Sequence, residues 1–242
     1  SSDVCSSDLA VSPGAITFNS SNNYTLTGTG SVAGATALLK SGSSTLTIGV
    51  TASYSGGTAF NGGRIVLSKP GSVGTGPITV GGNVTLTSTY GSSDNLFIGG
   101  AVTVPSGSTL SVNMSQRSQL NGVLSGSGTL NVFSPSTTGT EGRDYWDVSM
   151  GTFTGILNVS GGGTGRLAAR ENGGNFTGFD NTLLTLTNVN LYNANYSAAA
   201  NGGNGTFNAW GTPTNCLKSA SSNVDWITIS FGGGTANPST FG

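Results

Sequence analysis

The chain contains no histidine and very little charge. Its eight Lys or Arg and nine Asp or Glu make up 7% of 242 residues and leave a formal net charge of −1. Without histidine, the commonest general base and the commonest metal ligand are missing. The reading therefore expects no catalytic centre, no metal site and no cofactor. A near-neutral chain has no electrostatic pull on a phosphate backbone or an anionic lipid surface, so no nucleic-acid partner is expected. No apolar run approaches the roughly 20 residues that a membrane helix needs, so this segment is not expected to insert in a membrane. No stretch has helical periodicity. The two cysteines, Cys5 and Cys216, are too few to outline a disulfide framework.

What is present is glycine, 41 residues of it, among Ser, Thr and Asn and short alternating runs of Val, Ile and Leu. Alternation of this kind marks strands, and glycine supplies the positive-φ corners between them. The stretch 45–67, TLTIGVTASYSGGTAFNGGRIVL, is the clearest instance. Leu46 and Ile48 share one strand face, as do Ile65 and Leu67. Two glycine pairs, Gly56-Gly57 and Gly62-Gly63, lie between these runs together with Tyr54 and Phe60. Strand, corner, strand, corner is the unit of a β-solenoid.

This stretch resembles the autotransporter-associated β-strand repeat of secreted passenger regions in Gram-negative bacteria. That family's core reads Tyr-Ser/Thr-Gly-Gly-Thr, three variable residues, Gly-Gly, then two aliphatics separated by one residue. Tyr54, Ser55, Gly56, Gly57 and Thr58 match its first part, and Gly62, Gly63, Ile65 and Leu67 its second. The good copy covers about a tenth of the chain, with looser flanking matches in GSSTLTI and GSVGTGPITV. The resemblance implies a parallel β-helix, an extracellular or cell-surface location, and export across the outer membrane through a barrel.

Residues 1–9, SSDVCSSDL, resemble translated read-through of a sequencing adapter, a contaminant of metagenomic gene predictions. They are set apart as a non-native tail. Residues 10–242 are then expected to be one β-helix domain cut from a longer secreted protein at both ends. Setting aside Asp3 and Asp8 reduces the acids from nine to seven and leaves the chain effectively neutral.

Further strands are expected at Ile16–Phe18 and Tyr24–Thr27, with inward residues Ile78, Val80, Val84, Leu86, Phe97, Val102, Val104, Leu110, Val112, Leu120, Val123, Leu130 and Val132. Leu67 to Leu86 and Leu110 to Leu130 suggest a coil of roughly 20 residues, the size of one β-helix turn. Asn61, Asn83 and Asn121 suit corners, and their amides suit ladders from coil to coil. The alternation returns in 184–191 and 226–231. The expected fold is all-β, a single right-handed parallel β-helix of about ten coils, with a protruding loop near 134–150. The competing arrangement is an antiparallel sandwich or barrel, since FNGGRIVL and QLNGVLSG carry the Asn-Gly of hairpins.

The loop SPSTTGTEGRDYWDVSM holds the densest charge and aromatic content. Tyr145 and Trp146, with Asp144 and Asp147, are the candidate ligand-binding residues, for carbohydrate. Glu141 paired with Asp144 or Asp147 gives the two carboxylates a glycosidase requires, and Arg143, Arg166 or Arg170 the base of a lyase. All three acids sit in one short loop, so a solvated loop is preferred to an enzyme. The same oxygens suit calcium, but the acidic repeat of calcium-binding β-rolls is missing. GSVGTG and GGNGTF lack the Lys and Ser/Thr of a phosphate loop. Cys216 beside Lys218 has no histidine to activate it. Tyr192, Tyr196 and Trp210 suit either sugar stacking or wall packing. Tyr54 and Phe60 are expected in core or corner packing rather than in a ligand box.

The functional expectation is a structural or adhesive segment of a secreted bacterial surface protein, an autotransporter-like passenger stalk. The alternative is a carbohydrate-active enzyme or binding module on a β-helix scaffold. The expected partners are polysaccharide or a neighbouring cell surface, and further copies joined end to end through open strand edges.

Overall fold

A computed structural model of the chain describes the backbone of residues 4–6, 9–89, 95–114, 118–120, 122–134, 144–146, 149–161, 166–169, 183–187, 190–193, 218–219 and 230–231, with side chains over 9–89, 98–114, 122–133 and 152–160. Every element among them is a β-strand. Four sheets of ten, seven, six and three strands form the walls, and every described strand pairing is parallel. The chain is a parallel β-solenoid, and the antiparallel alternative is excluded because hairpin neighbours would run in opposite directions.

A turn gives one strand to the ten-stranded sheet, one to the three- or six-stranded sheet, and one to the seven-stranded sheet. The third wall changes sheet within a single turn. The three-stranded sheet stops after Thr51–Ala52, the six-stranded sheet begins at Asn95–Ile98, and the turn between them crosses 68–77 without a strand. Pro70 and Pro77 in that crossing lack the N–H that a ladder needs. Single bonds still stitch it, Ala52 N to Gly71 O and Thr75 N to Tyr54 O, both 2.8 Å.

About five turns close, rather than the ten expected. The longest sheet does carry ten strands, but beyond Ile156–Gly161 no strand of the seven-stranded wall lies among the described residues. The register also corrects the spacing. Ile65 follows Leu46 by 19 positions, but Val159 follows Val132 by 27. Leu110 does stack on Leu130. Leu67 stacks on Ser88, however, and Leu86 on Ile65. A slip of two residues keeps the same face inward, so alternation alone cannot detect it. Val123, expected inward, is 49% exposed, while Leu124 beside it is buried and aligns with Val102. Phe97 and Leu120 lie in strands whose side chains are outside the described set.

The core follows from this register. Leu46, Ile65, Leu86, Val112, Val132 and Val159 stand in line, each at most 1% exposed. Val84, Leu110, Leu130 and Leu157 make a second line beside it. Tyr54 and Phe60 are in the core, as expected. Outward positions carry Thr, Ser and Asn, and the amide ladder stands there rather than at the corners. Asn131 Nδ2 donates to Ser111 Oγ at 3.1 Å, and Asn158 Nδ2 to Asn131 Oδ1 at 2.9 Å. Asn121 lies outside the described residues.

The protruding loop needs correction over its second half. Asp144–Trp146 is a strand of the six-stranded sheet, between Ser118–Leu120 and Arg166–Ala169. Its pairings Leu120 to Trp146 and Trp146 to Ala169 place it in the wall. Aromatic residues suit a pleated strand, and charge density obscured this in the sequence. Residues 135–143 lie outside the described set. Val4–Ser6, within the stretch set apart as non-native, pairs with Tyr24–Thr27. An open sheet edge offers pairing to any extended backbone, so this contact does not depend on where those residues originate.

Candidate functional site

The repeat motif builds a corner, and each of its residues has a structural task. Tyr54 is buried and its hydroxyl pairs with Thr58 Oγ1 at 2.8 Å, so the first and last residues of Tyr-Ser-Gly-Gly-Thr satisfy each other inside the core. Burial pushes the Tyr54 phenol above its ordinary 10.0, partly offset by hydrogen bonds from Thr58 and the Gly74 backbone. At Gly56 a Cβ would lie 2.4 Å from Ala35 O and 2.5 Å from Thr36 O of the preceding turn. Gly57 follows at φ 90°.

Gly63 serves a neighbour that sequence reasoning missed. Lys40 is 0% exposed and points inward between Phe18 and Phe60 of the adjoining turns. Its ammonium donates to Ser41 O at 2.8 Å, Gly42 O at 3.1 Å and Gly62 O at 3.3 Å. Three protons meet three acceptors, which is the full capacity of an ammonium. Gly63 has φ 77°, and a Cβ on it would lie 2.9 Å from Lys40 Nζ and 2.6 Å from both Gly42 O and Ser44 O. The missing side chain is therefore the room that the ammonium occupies. Desolvation holds the Lys40 pKa below its ordinary 10.5. The buried Ser44 Oγ has no hydrogen-bond partner among the described residues. The signal for Lys40 was present in ALLKS, where an inward Leu38 puts Lys40 on the same face.

The carbohydrate candidates do not assemble into a described site. Asp144, Tyr145 and Trp146 occupy successive positions of one strand, opposite Leu167, Ala168 and Ala169, and successive positions belong to opposite sheet faces. Asp147, Glu141, Arg143, Arg170, Tyr196, Trp210 and Cys216 lie outside the described residues. Arg166 and Tyr192 lie in strands described by their backbone. The side chains described include no Asp or Glu at all; their charges are Lys40, Arg64 and Lys69. No group of His, Cys, Asp or Glu suited to a metal occurs among the described residues.

Phe133 was also missed. In TLNVFS, Leu130 and Val132 are buried and the following Phe133 is 40% exposed on the outer face of the ten-stranded sheet. The alternation of that strand was enough to place it there.

Comparison with known proteins finds no matching family model, no similar curated protein and no similar solved structure.

Proposed function

We propose that the chain is a structural and adhesive segment of a secreted bacterial surface protein, a stalk of the kind found in autotransporter passengers. The observation that carries this reading is the in-register line of six buried aliphatics through successive turns. Such a stack satisfies its backbone between turns and keeps a dry spine, so stiffness comes from repetition without charge chemistry. The match of Tyr54, Gly56, Gly57, Gly62 and Gly63 to the repeat, and the task each has at its corner, support the assignment. By the same reading the location is the cell surface, and the partners are polysaccharide, a neighbouring cell, or another copy added at an open sheet edge.

The test is display. Placed with an epitope tag between an export signal and an outer-membrane barrel, the chain is expected to carry the tag to the cell surface, where external protease removes it. Retention of the tag inside the cell, with the barrel assembled, counts against the reading. The second reading is a carbohydrate-binding module, favoured by the exposed Phe133 ring. A glycosidase would require two facing carboxylates, and no such pair lies among the described side chains.

A further inference from the structure

We propose that the outer face of the ten-stranded sheet around Phe133 is the binding platform for an uncharged polysaccharide. This rests on the adhesive reading and places it on particular residues.

Three neighbouring strands, Thr109–Asn113, Thr129–Ser134 and Ile156–Gly161, run in exact register. Phe133 lies between Asn113 on one side and Ser160 on the other. Adjacent strands stand about 4.8 Å apart, so both polar side chains flank the ring. Two residues along the strands, Ser111, Asn131 and Asn158 form a parallel rank. Their hydrogen bonds to one another, 3.1 and 2.9 Å, hold the amides in fixed orientation. Each amide keeps further donor and acceptor capacity for a ligand.

This combination selects the ligand. A sugar ring has an apolar C–H face and a rim of hydroxyls. Phe133 offers a ring for the first, and the amide and hydroxyl ranks offer partners for the second. The described side chains of these three strands carry no charge. Along the Asn131 rank, Arg64 stands three strands away on one side and Lys218 three strands away on the other. An anionic polymer therefore meets no cation on these three strands themselves. A protein partner would want a larger apolar centre than Phe133 and the separate Ile156, four positions back along the face, provide. A polysaccharide repeats, and so does the wall, so successive units meet similar ranks.

The test is affinity electrophoresis of the whole chain through gels containing laminarin, dextran or xyloglucan, with alginate as the anionic control. At least one neutral polymer is expected to slow the wild type, equally at low and high salt. Phe133→Ala should weaken that retardation about tenfold, the scale of one ring contact. Phe133→Trp should keep it, which separates loss of stacking from loss of fold, and Trp146→Ala should leave it unchanged. Equal binding by Phe133→Ala overturns the proposal. Loss in Trp146→Ala with retention in Phe133→Ala also overturns it, while leaving the adhesive reading intact on another wall. If no neutral polymer slows the wild type, this platform falls, while the stalk and adhesion to a neighbouring cell or another copy stand.

Discussion

Ile65 and Lys40 both point into the same stack, one as an aliphatic in mid-wall and the other as a cation beside a corner. The contrast lies in the backbone around them. In mid-wall, carbonyls bond to the next turn, as the register on both sides of Ile65 requires, and none is left to receive a charge. At the corner the chain turns away, and Ser41, Gly42 and Gly62 present carbonyls that Lys40 collects. A solenoid can thus bury an ammonium where its ladder is interrupted, provided a residue without a side chain makes room. Gly63 is that residue.

The largest expected break in this comparison is Ile65→Lys. It buries an ammonium where no acceptor is free, and should cost about 4 kcal/mol or more in urea unfolding. A cost near that of an exposed substitution would mean mid-wall carbonyls are available after all. Next is Gly63→Ala, which combines a positive φ with contacts to two carbonyl oxygens and should cost about 3 kcal/mol. Its neighbour Gly62→Ala meets Gly42 O at 3.4 Å and Gly42 N at 4.0 Å, both ordinary contacts, and should stay within about 0.5 kcal/mol of wild type. Equal effects at the two positions would remove Gly63's special role.

Lys40→Met is also expected to change stability little. It exchanges three hydrogen bonds for relief from desolvation and should fall within about 1 kcal/mol of wild type at neutral pH. Its signature is pH dependence. The folded pKa of Lys40 lies below 10.5, so between the two values the unfolded chain holds a proton that the folded chain has released. Stability therefore rises with pH across that window. Tyr54 acts oppositely, because its raised pKa makes stability fall as pH climbs above 10.0. The difference between wild type and Lys40→Met isolates the lysine. That difference should move toward the wild type as pH rises to 10.5, and a flat difference would show that the ammonium pays no desolvation cost.

The parallel solenoid and most of its inward residues were legible, because alternation and glycine corners are local signals that the long-range stack then reuses. Register was less so. Pairing Leu67 with Leu86 looks as good as the observed pairing with Ser88, since both keep the same face inward. Val123 failed for a related reason: in NGVLSG two adjacent aliphatics compete for one inward place, and Leu124, in line with Val102, takes it. Lys40 and Phe133 were readable from alternation but ran against composition, which favours charge outside and aromatics inside. The strand Asp144–Trp146 looks like loop in the sequence because its charges outweigh its strand-forming aromatics.

Parallel stacking of successive turns is tested most directly by paired cysteines on the outer face, with Cys5 and Cys216 replaced by serine. Thr85 and Ser111 are register partners on neighbouring turns, within the Cα separation a disulfide accepts. Thr85→Cys with Ser111→Cys should oxidise to an intramolecular disulfide in the folded chain, while Thr85→Cys with Asn113→Cys, displaced by one step along the strand face, should form far less. Preference for the displaced pair, or failure of both in a folded chain, would contradict the stack described here.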